Sequence, residues 1–170
     1  GEAHAGGTWG YALKLAGLDG VVVKGIAEQP VYLCIDGDKY ELRDAGHLWG
    51  KGTWETDDLV KAETEKGTSV ASIGQAGERL VRFASIMCDG KMGRAAGRCG
   101  LGAVMGSKTL KAIAVRGNKR PAVYDEEGLK NSITVNHVRK HLDFETELKP
   151  RWSQGVGRLI AEGKQGVKNY

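Results

Sequence analysis

The stretch DGKMGRAAGRCGLGAVMGSK, residues 89–108, determines how this sequence is interpreted. Glycines recur throughout it among the cations Lys91, Arg94, Arg98 and Lys108. Glycine allows positive φ and lets a ligand approach the backbone, at an entropic cost that an idle loop would not carry. Glycine-rich loops with free amide groups and nearby Arg or Lys bind phosphate-like anions. The stretch therefore predicts an anionic cofactor held by loop backbone, with a mobile surface loop as the alternative.

The composition is ordinary for a soluble globular protein, with 41% hydrophobic and 27% charged residues. A chain of 170 residues can bury one good core, or one and a half. No apolar run approaches the roughly 20 residues that cross a bilayer. The net charge of +4 is spread over mixed cations and anions, so nucleic-acid binding is not favoured. The chain begins without a methionine on GEAHAGGTWG and ends on VKNY, so we expect a piece of a longer protein.

The three cysteines, Cys34, Cys88 and Cys99, lie far apart in the sequence. Their number is odd and no CxxC pair is present, which argues against a secreted disulfide framework. A reducing cytoplasm is the expected location. Alone, these thiols would make a poor iron–sulfur or zinc site.

Hydrophobic periodicity predicts a sheet followed by helices. Short apolar or alternating segments predict strands at residues 20–26, 31–35, 39–43, 69–74, 80–87 and 110–116. The Asp36-Gly37 pair predicts a hairpin turn, with Tyr40 and Leu42 of the following strand facing the core.

Helices are predicted at residues 11–16, ended by Gly17, and from Thr53 or Thr56 as the cap to Gly67. A turn-rich segment at 117–121 then marks a boundary. Beyond it, a helix is predicted to about residue 142, and another at 152–162. The apolar face of the first of these is expected to comprise Leu129, Ile133, Val138 and Leu142.

Few individual residues point to chemistry by themselves. Arg94 and Arg98 are four apart, so a helical turn would place both on one side to clamp a phosphate or polar ring; a solvated basic face is equally compatible. The glycine patterns lack the strand–loop–helix order of nucleotide-binding fingerprints, which are therefore rejected. His4 and His47 lack a catalytic partner in the sequence, and a structural role is the simpler interpretation.

Two acidic residues, Glu78 and Asp89, are predicted to have structural roles. Glu78 and Arg79 are predicted to form a loop ion pair, and the preceding Gly74 and Gly77 indicate a tight, close-packed turn there. Asp89 could bind a cation or cap the next segment, and capping is the simpler role. No Ser-His-Asp or Cys-His constellation can be read from the spacing. The residues alone thus predict an α/β domain whose glycine loops hold something anionic.

Several longer phrases together resemble the tungsten- or molybdenum-dependent aldehyde ferredoxin oxidoreductase family. The phrases are GGTWGYALKLAGLDGVVVKGIAEQPVYLCI (6–35), ELRDAGHLWGKGTWET (41–56), ASIGQAGERLVRFASIM (71–87) and GRAAGRCGLGAVMGSKTLKAIAVRG (93–117). The resemblance runs almost without interruption from Ala3 to Gly117. It implies an α+β, two-sheet base domain, of which residues 1–120 would be the second half. Residues 121–170 would be the first helices of an incomplete helical domain.

The resemblance also implies a site for a tungstopterin, a bis-pterin cofactor of tungsten or molybdenum. Backbone carbonyls of His4 and Ala95 would coordinate a Mg²⁺ ion that bridges the two pterin phosphates. The cofactor-binding residues implied beside them are Ala5, Gly6, Gly7, Arg94, Ala96, Gly97 and Arg98. Paired phosphates repel one another, so a Mg²⁺ ion with carbonyl and water ligands and nearby arginines is physically reasonable.

The implied activity is oxidation of an aldehyde to a carboxylic acid, with electrons passing through a [4Fe–4S] cluster to ferredoxin or another electron-transfer subunit. The cluster ligands and the catalytic residues would lie outside this chain. Alternatives are the same cofactor acting on 2-hydroxy or 2-oxo acids or aromatic acyl thioesters, or a non-catalytic scaffold paralogue. A homo-oligomer is compatible with the resemblance. His4, the KMG segment at 91–93 and Cys99 depart from the family pattern and suggest a divergent branch.

Overall fold

The computed structural model describes residues 1–143, without the side chains of Met92 and residues 135–143. Residues Gly1–Pro121 form one compact unit, and a second begins at Ala122. The helix predicted at 152–162 lies outside the described residues. The assignment of the two units to a base domain and a helical domain stays a prediction.

The elements alternate between short helices and short strands. The helices are α1 (Trp9–Leu15), α2 (Thr53–Glu63), α3 (Gln75–Glu78), α4 (Leu101–Gly106) and α5 (Glu126–Asp143), with 3₁₀ turns at Gly46–Leu48 and Gly90–Met92. The strands are β1 (Val31–Asp36), β2 (Lys39–Asp44), β3 (Ser69–Ser72), β4 (Ile86–Cys88), β5 (Arg94–Ala96) and β6 (Leu110–Arg116).

All six strands of the described residues form one mixed sheet in the order β2-β1-β6-β3-β4-β5. β1 pairs with β6 in parallel, and every other pair is antiparallel. β6 lies in the middle of the sheet, so its seven residues are mostly buried. This is an α+β fold with one sheet; the two-sheet arrangement implied by the family stays a prediction.

The alternation of side chains along β1 divides the core between the two sheet faces. Tyr32 and Cys34 face α2 and pack in one cluster with its Val60. Ile35 points the other way and packs with Leu13 of α1. The sheet is therefore covered by α2 on one face and by α1 on the other.

Several predicted elements are confirmed, including α1, the β1–β2 hairpin, β3 and β6. The strand predicted at 20–26 is wrong: no strand forms there, and Val22 and Ile26 are 83% and 74% exposed. Gly25 adopts a φ of 80°, which interrupts the extended backbone that a strand needs. The apolar run was therefore a misleading signal.

Three other predictions about strands and helix ends differ from the structure. Tyr40 and Leu42 of β2 are exposed and do not face the core, because β2 is an edge strand. The strand predicted at 80–87 is reduced to β4, because Leu80 takes a left-handed φ of 57°. Gly52 caps α2, and Thr56 instead donates its hydroxyl to the Gly52 carbonyl.

The apolar face expected on α5 is exposed where it is described. Leu129 is 45% exposed and Ile133 is 59% exposed. The side chains of Val138 and Leu142 lie outside the described residues.

A buried ion pair fastens the central strand to α3. Lys111 of β6 is fully buried, and its Nζ donates to Glu78 Oε1 at 2.5 Å and to the Lys51 carbonyl at 2.9 Å. Both Glu78 oxygens also accept from the Gly50 amide. Burial lowers the pKa of Lys111, while the Glu78 carboxylate opposes that shift. The predicted Glu78–Arg79 pair is therefore wrong, since Glu78 is committed to Lys111.

We predict that Lys111→Met destabilises the chain by about 3–5 kcal/mol, because Glu78 is left buried without its cation. Urea denaturation followed by circular dichroism measures the change. Lys119→Met is the matched control, since Lys119 pairs with Asp38 at the surface and its loss is expected to have little effect. Equal denaturation midpoints for Lys111→Met and the unsubstituted chain would contradict the assignment.

Candidate functional site

Two segments far apart in sequence meet through Asp89. Its Oδ2 accepts from the Thr8 amide at 2.8 Å, and its Oδ1 accepts from the Thr8 hydroxyl at 2.6 Å. The Thr8 hydroxyl also lies 3.0 Å from Ser69 Oγ of β3. Asp89 therefore anchors the N-terminal segment to the sheet. The capping role expected from the sequence is wrong, because the Asp89 side chain makes no capping hydrogen bond to the 3₁₀ turn that follows it.

The N-terminal turn (residues 3–8) lies against Arg94, and at Gly7 it has no room for a larger side chain. Gly7 has a φ of 98°, and a Cβ there would overlap Asp89 Oδ2 and lie 2.9 Å from Arg94 Cγ. A Cβ at Gly6 would contact Arg94 Cδ at 3.9 Å. Glycine at position 7 is thus required by both conformation and space.

The N-terminal turn and the arginine turn (residues 94–98) enclose an open depression of about 710 Å³. It is lined by Glu2, Ala3, His4, Ala95, Gly97 and Arg98. The structure therefore brings together four of the residues that the resemblance implied: His4, Ala95, Gly97 and Arg98. Ala5, Gly6, Gly7 and Arg94 lie in the same two turns, whereas Ala96 is buried in β5.

The helical arrangement considered for Arg94 and Arg98 is wrong. Arg94 begins β5 and Arg98 follows that strand, so the backbone between them is extended at first. Cys88 of β4 pairs with Arg94 and Met87 pairs with Ala95, which places the arginine turn at the free edge of the sheet. Both arginine residues are exposed.

The three glycines that follow the arginine turn are needed for close packing within the chain. A Cβ at Gly102 would lie 2.5 Å from the Ser85 carbonyl oxygen, and one at Gly106 would overlap the Gly77 carbonyl. Gly100 has a φ of 66° and its Cβ would overlap the Arg82 carbonyl. These three glycines let α4 lie directly against the backbone of residues 77–85. No pattern in the sequence distinguishes these three glycines from glycines that would contact a ligand.

The remaining candidates lie apart from the depression. His47 Nε2 hydrogen-bonds Glu63 Oε1 at 2.6 Å, a structural contact to the end of α2.

Burial raises the pKa of the Cys88 thiol to about 11 and also raises that of Cys34, so both are poor nucleophiles. Among the side chains that the structure describes, no group of three or more His, Cys, Asp or Glu residues could hold a metal ion. No helix of the described part is long and apolar enough to cross a membrane.

A second cavity, of about 430 Å³, opens beside the end of α2, and both of its arginines are already paired. Arg116 donates to both oxygens of Asp36, at 2.8 and 3.0 Å, and holds the pKa of that carboxyl below its usual value. Arg43 pairs with Glu41 at 2.7 Å. In the depression, Glu2 lies 3.1 Å from His4 Nε2, and no ion pair among the described residues involves Arg98, which leaves that guanidinium available to an anion.

Comparison with known proteins gives a consistent family. The family described as aldehyde ferredoxin oxidoreductase, N-terminal domain, matches residues 1–117. The tungsten-containing aldehyde ferredoxin oxidoreductase of Thermococcus kodakarensis is 55% identical over 126 residues, covering 74% of this chain and 20% of that protein. The enzyme of the same name from Pyrococcus furiosus is 52% identical over 126 residues, with the same coverage of each chain.

More distant relatives carry other names. The aliphatic sulfonate oxidoreductase, WOR-like subunit, of Pyrococcus furiosus is 40% identical over 162 residues, covering 87% of this chain and 25% of that protein. The solved active-site complex BamBC of benzoyl coenzyme A reductase with 1,5-dienoyl-CoA superposes with a TM-score of 0.74 at 43% identity. That match covers 81% of this chain and 21% of the solved chain.

The chain belongs to the aldehyde ferredoxin oxidoreductase family, in which it matches the N-terminal domain. It spans about a fifth of the length of the tungsten-containing relatives. Those relatives imply a tungstopterin cofactor. The depression fits such a group, because it offers space, closely approachable backbone at Ala95 and Gly97, and the cation Arg98.

We predict that Gly97→Ala and Gly102→Ala have different effects on stability, because Gly97 lines the depression whereas Gly102 is needed for close packing. A Cβ at Gly97 meets its nearest atoms at 3.8 Å, so stability should change by less than about 0.5 kcal/mol. A Cβ at Gly102 overpacks against Ser85 and should cost about 1–3 kcal/mol. Urea denaturation of metal-free protein measures both. The distinction fails if Gly102→Ala is as stable as Gly97→Ala.

Proposed function

We propose that this chain is the cofactor-binding base of an oxidoreductase that carries a bis-pterin tungsten or molybdenum centre. The observation that carries the proposal is the convergence of the N-terminal turn and the arginine turn on one depression. Neither turn contains a bulky apolar side chain at the depression, so a large flat group can approach the backbone. Membership of a family with tungsten-containing relatives supports this cofactor class.

In this proposal the backbone supplies most of the binding. The carbonyl oxygens of His4 and Ala95 would hold a Mg²⁺ ion, and that ion would offset part of the negative charge of the two pterin phosphates. Mg²⁺ prefers oxygen ligands and retains water, so two carbonyls are a suitable protein contribution. The exposed guanidinium groups of Arg94 and Arg98 add charge and hydrogen-bond donors for phosphate. Ala5, Gly6, Gly7 and Gly97 keep the adjoining backbone accessible, whereas Ala96 is buried and supports the arginine turn from within β5.

The reaction proposed for the full-length protein is oxidation of an aldehyde to a carboxylic acid. The aldehyde gains an oxygen atom from water and releases two electrons and two protons. The bound metal centre supplies the redox chemistry, while this chain positions the cofactor. Electrons then pass singly through a [4Fe–4S] cluster, held by residues outside this chain, to ferredoxin or another electron-transfer subunit.

Two further substrate classes are favoured by two comparisons. The BamBC complex, which matches at 43% identity, was solved with 1,5-dienoyl-CoA, an acyl thioester. The 40% identical relative is named an aliphatic sulfonate oxidoreductase subunit. The same cofactor base could therefore serve reduction of an acyl thioester or oxidation of a sulfonate. Substrate selection would then lie in residues outside this chain.

We predict that the full-length protein, purified from cells supplied with tungstate and molybdate, contains one of these metals together with a pterin. Inductively coupled plasma mass spectrometry measures the metal, and fluorescence of the oxidised, released pterin measures the cofactor. Protein that holds neither metal would contradict the proposal and favour a scaffold without a metal centre.

We also predict that Arg94→Ala and Arg98→Ala lower the metal content about fivefold or more, because each removes a charged phosphate donor. Arg79→Ala is the control, since Arg79 is an exposed cation at the end of α3, away from the depression. Unchanged metal content in both variants would assign these arginines to the solvated surface alone.

A further inference from the structure

We propose that Asp89 is a positioning residue, whose carboxylate fixes the N-terminal turn relative to the arginine turn. This inference rests on the proposed function, because the spacing matters only if both turns bind one cofactor. Asp89 itself does not line the depression. Its effect on binding would therefore pass through Thr8.

The arginine turn is held in place by the strand pairing of β4 and β5. β4 and β5 form an antiparallel hairpin in which Cys88 pairs with Arg94 and Ile86 pairs with Ala96. Asp89 follows Cys88 directly, so its carboxylate is carried by the same hairpin as the arginine turn. The hairpin is also joined to the centre of the sheet through β3.

The N-terminal turn has no such support of its own. Residues 1–6 form no helix or strand in the structure. Thr8 gives two hydrogen bonds to Asp89, one from the backbone and one from the side chain. Two bonds to two oxygens of one carboxylate fix direction as well as distance. The Asp89–Thr8 pair, together with the contact between Thr8 and Ser69, thus holds the N-terminal turn beside the hairpin that carries Ala95.

The backbone of Asp89 supports a role for its side chain. Asp89 has φ 62° and ψ 31°, a left-handed conformation in which glycine is the least strained residue. The next residue, Gly90, is buried against α2, where a Cβ would lie 2.5 Å from Asp57 Oδ2. A carboxylate at position 89 therefore occupies a position where local conformation alone would favour glycine.

The charge of Asp89 makes two opposite outcomes possible. A carboxylate near an anion site weakens anion binding if charge dominates, so its removal would improve retention of the cofactor. If positioning dominates, removal lets the N-terminal turn move and weakens retention. Both oxygens accept hydrogen bonds from Thr8, which favours the positioning role.

The test uses the full-length protein with Asp89→Gly, Asp89→Asn and Thr8→Val. Asp89→Gly removes the carboxylate and suits the left-handed backbone, whereas Thr8→Val removes the hydroxyl contacts with Asp89 and Ser69 and retains the amide. Asp44→Gly is the control, since Asp44 also accepts a backbone hydrogen bond, from Gly46, but lies on β2 at the opposite edge of the sheet. Released pterin and bound metal are measured over time after addition of EDTA.

We expect Asp89→Gly to lose pterin about tenfold faster than the unsubstituted protein, as loss of hydrogen bonds to a charged group predicts. Thr8→Val should show a smaller acceleration, and Asp89→Asn should recover part of the loss through its remaining acceptor. Asp44→Gly should match the unsubstituted protein. Thermal unfolding of the metal-free variants is measured beside these rates, because a purely structural role would lower stability without restoring retention in Asp89→Asn.

Equal or slower pterin loss in Asp89→Gly overturns the positioning role while leaving the proposed cofactor intact. If Asp89→Gly does not fold, the comparison of Thr8→Val with the unsubstituted protein decides, and equal rates overturn the role. Absence of pterin from the unsubstituted protein overturns the proposed function and this inference together.

Discussion

The pair of hydrogen bonds between Asp89 and Thr8 is the interaction on which the arrangement of the candidate site depends. It joins positions separated by 81 residues and ties a segment without helix or strand to an edge hairpin. Gly7 completes the contact, because a side chain there would overlap the Asp89 carboxylate. Under the positioning role that we propose, these residues hold the two turns side by side at the depression.

The glycines of residues 89–108 divide into two groups with different physical purposes. Gly100, Gly102 and Gly106 allow α4 to lie against neighbouring backbone, and they would be needed even without a ligand. Gly97 has open space around its α-carbon at the depression, so close packing within the chain does not require it. A high glycine content therefore reflects both tight packing and an accessible surface, and only the structure assigns each residue.

Much of the sheet was predictable, because β1, β3 and β6 are buried runs bounded by turn residues. The segment at 20–26 was not, since its apolar residues lack the continuous extended backbone of a strand. For the site, the sequence alone predicted two glycine-rich turns that hold an anion, and the family resemblance supplied the individual residues. The Lys111–Glu78 pair and the Asp89–Thr8 pair join residues distant in sequence, and no spacing rule relates them.

The central claim is that the N-terminal turn and the arginine turn together hold paired pterin phosphates through a magnesium ion. An experimental structure of the full-length protein with its cofactor tests this most directly. We expect a cation bound by the carbonyl oxygens of His4 and Ala95 at about 2.0–2.1 Å, with the pterin phosphates as its remaining ligands. Pterin phosphates bound elsewhere, with the depression facing solvent, would contradict it.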